Sequence, residues 1–174
     1  PDAAGEVETS HPHTSNQDYA PKANNEGYGG FLRIEDDLGW AGLTSIHAVE
    51  TFDQDSQEDS DSSIYVSANT DWYATIDQFT QELRLVGDIS DRWHYVAGLF
   101  YEHDELEQFD SANLIGHPLA GPLALPPGRL AAEFTQEVDS YALFVHNEYE
   151  FSEYWKLNFG LRYTIDELTV DGIT

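Results

Sequence analysis

The chain carries seven histidines and 33 acidic residues, enough material for acid–base, nucleophilic or metal chemistry. Their spacing argues against all three. Serine, histidine and aspartate are present, but no Gly-x-Ser-x-Gly elbow or other nucleophile setting surrounds a serine. The carboxylate pairs Glu102/Asp104 and Asp166/Glu167 fall near expected strand ends, where solvated charge is ordinary. The run from Asp53 to Asp61 (DQDSQEDSD) offers the hard oxygen ligands that calcium takes. It lacks the glycine and terminal glutamate spacing of a calcium loop, so it reads first as a solvated loop. His11 and His13 flank Pro12 and also read as loop residues. No catalytic residue, metal ligand or cofactor-binding residue is assigned, and the segment is not expected to be an enzyme.

Composition narrows the field further. A net charge of −26 leaves no basic face for phosphates, which argues against a nucleic-acid partner. With no cysteine there is neither a disulfide scaffold nor a thiolate metal site. With no methionine and Pro1 in first place, a processed chain or a fragment is expected. No stretch approaches the roughly 18 consecutive apolar residues of a spanning helix. That test does not reach a β-barrel, in which half of each strand faces a polar interior.

The patterning comes from strands. From Trp93 the chain runs WHYVAGLFYEHDEL, and 62 residues later, from Trp155, WKLNFGLRYTIDEL. In the second copy Leu157, Phe159, Leu161, Tyr163 and Ile165 share one parity, while Lys156, Asn158, Gly160, Arg162, Thr164 and Asp166 share the other. A period of two sends the two sets to opposite faces of a strand. One face is apolar and the other wet.

Three hairpins are expected, over about 27–53, 75–107 and 133–170. Their turns lie at Asp36 to Gly39, Gly87 to Asp91 and Phe151 to Glu153. Long loops are expected at 54–74 and 108–132, with a loop or disordered entry at 1–26 and the start of another loop at 171–174. Short turns alternating with long loops suit an outer-membrane barrel. Trp40, Trp93 and Trp155 each begin a strand leaving a short turn, and Tyr101 and Tyr163 follow their tryptophans by eight residues. Eight residues climb roughly 20 Å at a tilt near 40°, close to the apolar band of such barrels. Tyr141 and Tyr149 bound the descending strand in the same way, so these seven aromatics are expected at the membrane interfaces. In the first hairpin Gly42, Thr44, Ile46 and Ala48 are expected to form a weak lipid face. The opposite parity gives lumen-facing candidates: Arg84, His94, His146, Glu148, Asn158 and Arg162. An antiparallel β-sandwich burying its apolar faces against one another accounts for the alternation equally well. It accounts less well for the charges on the second face and for tryptophan recurring beside the turns.

Four phrases carry a family resemblance: Gln78 to Val86 (QFTQELRLV), Asp91 to Tyr101 (DRWHYVAGLFY), Phe134 to Phe144 (FTQEVDSYALF) and Trp155 to Thr164 (WKLNFGLRYT). In this order the chain resembles the barrel domain of TonB-dependent outer-membrane receptors over about residues 75–170. The resemblance implies an all-β, antiparallel transmembrane wall of about six strands, an internal piece of a 22-stranded barrel in a Gram-negative outer membrane. It also implies energised import of a scarce nutrient such as a ferric siderophore. The partners would be outer-membrane lipid, the small-molecule cargo, and the TonB energy-transducing complex acting through a plug that this sequence does not contain. The lumen-facing candidates would mostly hold that plug. A passive porin-like barrel and a soluble β-sandwich that binds a ligand are the alternatives.

Overall fold

The computed structural model describes residues 17–60, 68–113 and 128–173. Within them the chain forms β1 (Lys22–Asp37), β2 (Ala41–Asp59), β3 (Asn69–Ser90), β4 (Trp93–Asn113), β5 (Arg129–Ser152) and β6 (Trp155–Ile173). Each strand pairs antiparallel with its chain neighbours, so the sheet order is β1-β2-β3-β4-β5-β6. The outer two strands are not paired to each other, and six strands fall short of the eight of the smallest membrane barrels. The sheet is a wall.

Local chemistry sets the three tight turns. In the first, Asp37 Oδ1 accepts a hydrogen bond from the Gly39 amide at 2.8 Å, and Gly39 has φ of +82°, a left-handed conformation that glycine adopts without strain. The other two turns follow one plan. Ser90 pairs with Trp93 and Ser152 with Trp155, each beside a register shift, so both tryptophans enter their strands in the same phase.

That phase orders one face into rows of directly opposed residues. One row is Leu85, Ala97, Val145 and Leu161; the next is Leu83, Leu99, Leu143 and Tyr163; the next is Gln81, Tyr101, Tyr141 and Ile165. Trp93, Tyr149 and Leu157 close the turn-proximal end. Trp93 meets Tyr149 edge-on at 5.8 Å, and the Tyr101 and Tyr141 rings lie 5.0 Å apart, contacts worth about 0.5–1.5 kcal/mol each beyond burial. Trp93 also donates from Nε1 to Asn147 Oδ1 at 3.0 Å.

No second layer of described residues covers this face. Leu161 is 75% exposed, Leu157 46% and Phe159 45%, and among the described residues the buried hydrophobic side chains are those of Ala41 and Ala142. A sandwich core would have sealed them.

Three expectations need correcting. Both long loops are shorter, because β2 runs to Asp59, β3 starts at Asn69, β4 runs to Asn113 and β5 starts at Arg129. The acidic run from Asp53 therefore belongs to β2 as far as Asp59, with Asp61 outside the described residues. Cross-strand hydrogen bonds accommodate the carboxylates: Thr75 donates to Asp53 at 2.8 Å, Thr51 donates to Asp77 at 2.6 Å, and Lys22 pairs with Asp55. The first strand starts at Lys22, inside the expected entry segment, and the last continues past 170 to Ile173.

The third correction concerns the first hairpin. Asp37 pairs with Gly42, so Trp40 lies in the turn and not in a strand. Gly42, Thr44, Ile46 and Ala48 then oppose Val86, Arg84, Glu82 and Thr80, on the polar face. Leu43, Ser45, His47 and Val49 take the apolar side instead, opposite Leu85, Leu83, Gln81 and Phe79. A shift of one residue moves every side chain to the other face.

Candidate functional site on the polar face

All six lumen-facing candidates share one face of the sheet. Arg84, Gly98, Phe144 and Arg162 form one row across β3 to β6. Val96, His146 and Gly160 form the next toward the turns, and His94, Glu148 and Asn158 the one below that. Opposed residues on an antiparallel ladder are about 5 Å apart, so the six groups make one continuous patch.

Glycine at 98 makes room in the upper row, where the Phe144 ring lies over it; a Cβ there would also come within 2.7 Å of the Leu83 carbonyl oxygen. The Arg162 guanidinium sits over the Phe100 ring, 5.3 Å from its centre, and its Nε donates to Thr164 Oγ1 at 3.1 Å. Arg84 pairs with Glu82, two residues along the same strand and on the same face. Arg84 is thus locally neutralised, while Arg162 is exposed and keeps donors free for a further acceptor.

Toward the turns, Lys156 Nζ lies 2.7 Å from both Glu148 and Glu150, bridging two carboxylates of the adjacent strand. His94 pairs with Asp88. Glu82, Phe100, Phe144, Glu150 and Lys156 belong to the patch although they were not among the candidates. Their parity was readable, but their partners depend on register, which the bulges at Asp88/Ser90 and Glu150/Ser152 fix.

Further from the turns the two faces exchange character. Above the Tyr101 row the formerly apolar face carries Asp77, Glu105, Glu107, Glu137, Asp139 and Glu167. The polar face there carries Phe52, Trp72, Ile76, Leu106, Leu168 and Val170. Alternation thus continues with inverted sense. Asp139 marks the changeover: it accepts from Tyr101 Oη at 2.8 Å and lies 3.0 Å from His103 Nδ1. The Tyr101 and then the His103 hydrogen bond hold its carboxyl below the usual carboxylate range.

Among the described residues no three histidine or acidic side chains converge to hold a metal ion, and His11 and His13 lie outside them. What the polar face offers is a guanidinium, amides, imidazoles and paired carboxylates on a rigid ladder, a surface for non-covalent contact.

An open antiparallel wall, apolar and uncovered on one side and polar on the other between aromatic rows, defines a segment of an outer-membrane-type β-barrel. The family described as TonB dependent receptor-like, beta-barrel matches residues 3–173, and the chain belongs to it. The chain is also similar in fold to the siderophore receptor PiuA from Acinetobacter baumannii, with a TM-score of 0.55 and 15% sequence identity. The likeness covers 86% of this chain and 29% of the PiuA chain, so the segment spans less than a third of that receptor. No curated protein matches the chain. The family is one of receptor barrels of Gram-negative outer membranes and not a family of enzymes.

Proposed function

We propose that this segment is part of the wall of an outer-membrane receptor that imports a scarce nutrient, such as a ferric siderophore, by drawing on TonB. The observation that carries this reading is the uncovered apolar face, bounded by Trp93 and Tyr149 at one end and Tyr101 and Tyr141 at the other. Such a face meets lipid, and its opposite meets the lumen. Trp155 and Tyr163 complete the interface aromatics on β6.

On the lumenal side Arg84, His94, His146, Glu148, Asn158 and Arg162 contact the plug of the complete receptor. Arg162 is the strongest of them, because its guanidinium is exposed and only partly hydrogen-bonded. Cargo enters past the upper part of the same face, along Trp72, Ile76, Leu106, Leu168 and Val170. The segment itself catalyses nothing.

The test is uptake by cells carrying the full-length receptor, with and without the TonB complex. The reading expects uptake to stop when TonB is removed; uptake that continues unchanged would make the barrel a passive pore.

A further inference from the structure

On the lumenal face, above the Tyr101 row, Ala74 stands between Gln54 on β2 and Gln108 on β4. Its short side chain leaves a hollow of about 170 Å³, lined also by Trp72 and Asp110. Trp72 is 38% exposed and directly opposes Asp110. Pockets for whole ligands usually enclose about 300–1,000 Å³, so this one takes a single group of a larger molecule. Both oxygens of the Asp110 carboxylate accept from Gln108 Nε2, at 2.9 and 2.8 Å. That amide holds the carboxylate in place without cancelling its charge. Among the described residues no Lys, Arg or His pairs with Asp110.

The surroundings carry the same sign. Above the Tyr101 row this face holds Glu50, Asp104, Asp110 and Asp166, and no lysine or arginine. Of the chain's seven, Lys22 and Arg129 stand on the other face, and the rest lie below that row or in the turns. The sequence of 61–67 and 114–127 adds none. Nearer the turns on β4, Asp104 has a buried oxygen, Oδ1, without a hydrogen-bond partner. An anionic cargo would meet uncompensated repulsion along this stretch, whereas a cation is drawn to it. A neutral group covering Asp110 would take water from a charge and return nothing for it. A cation offsets that cost, and an indole beside the carboxylate adds to its attraction.

We propose that Trp72 and Asp110 form a subsite for an ammonium group of the cargo, the indole meeting the cation and the carboxylate pairing with it. The inference rests on the import reading above and narrows the nutrient to a molecule bearing that group. A ferric chelate with a free amine meets the requirement; an anionic chelate does not.

The test uses the full-length receptor in detergent, labelled with fluorotryptophan, the Trp72 fluorine resonance being assigned by its loss in Trp72→Phe. The probes are choline and its uncharged isostere, in which a tert-butyl group replaces the trimethylammonium. Choline at millimolar concentration should shift the Trp72 resonance saturably. The isostere should bind about three- to thirtyfold more weakly, the range that a cation beside an indole commands. Asp110→Asn keeps the shape of the side chain and an acceptor for Gln108, and should bring choline down to the level of the isostere. An equal response to the two probes, or none to choline, would overturn the proposal. So would a Trp72 resonance that moves with glucose or citrate instead, which would make the hollow a polyol or anion subsite. Gel mobility with and without heating reports assembly, and where Asp110→Asn does not assemble the two-probe comparison on the wild type decides. None of these measurements needs transport. A receptor that prefers choline but imports without TonB would sink the import reading alone, and TonB-dependent uptake with no such preference would sink the subsite alone.

Discussion

Leu161→Arg places a charge near the middle of the apolar span of β6. From Trp155 to Ile165 the apolar parity of β6 rises ten residues, about 25 Å at 3.3 Å per residue and a 40° tilt. Leu161 lies six residues above Trp155 and four below Ile165, near the middle of that rise, and is 75% exposed. If the face meets water, arginine at so open a site changes stability by less than about 0.5 kcal/mol. If it meets hydrocarbon, the cost is about 2–4 kcal/mol. The two cases are separated several-fold, and the cross-strand contact of Leu161 with Val145 is worth only about 0.2–1 kcal/mol, too little to imitate the larger figure. The assay is reversible guanidinium unfolding of the full-length protein in lipid vesicles, comparing wild type, Leu161→Arg and Leu161→Ala as a control for lost apolar area. A Leu161→Arg protein as stable as wild type would refute the facing assignment and the depth worked out from the register.

Two further outcomes follow from the ladder. Gly98→Ala should lower assembly yield and cost about 1–3 kcal/mol through overpacking against Phe144 and the Leu83 carbonyl, read by heat-dependent gel mobility and unfolding midpoint. Asp139 titrates below the usual carboxylate range because Tyr101 and His103 hydrogen-bond to it. Its contribution is therefore complete above the ordinary carboxylate value of about 4 and is lost as pH falls through its own lower value. Tyr101→Phe should be less stable than wild type at neutral pH, with the gap closing on acidification below about pH 4. A gap in the unfolding midpoint that stays constant with pH would remove Asp139 from that account.

Hairpins two and three were legible in the sequence because Trp93 and Trp155 enter their strands in one phase, so counting by twos placed all six polar candidates on one face. The first hairpin was misread by extending that rule to Trp40. That tryptophan sits in a turn whose geometry Gly39 sets, and the count begins one residue out. The strand extensions were hidden for a different reason. Trp72, Ile76, Leu106, Leu168 and Val170 continue the alternation with its sense reversed, which looks like broken periodicity when one face is expected to stay apolar throughout. The Lys156 bridge and the stacking of Arg162 on Phe100 needed register, which no single strand encodes.

The central assignment is that the odd-numbered positions of β6 from Leu157 to Ile165 touch lipid and the even-numbered ones between them do not. Nitroxide labels placed singly at 157 through 164 in the full-length protein in bilayers measure it directly, through relaxation by oxygen, which concentrates in hydrocarbon, and by a water-soluble nickel chelate. Oxygen accessibility should peak at 157, 159, 161 and 163, with nickel accessibility peaking at the positions between. The same accessibility at both parities, or the reverse order, would contradict a lipid-facing wall.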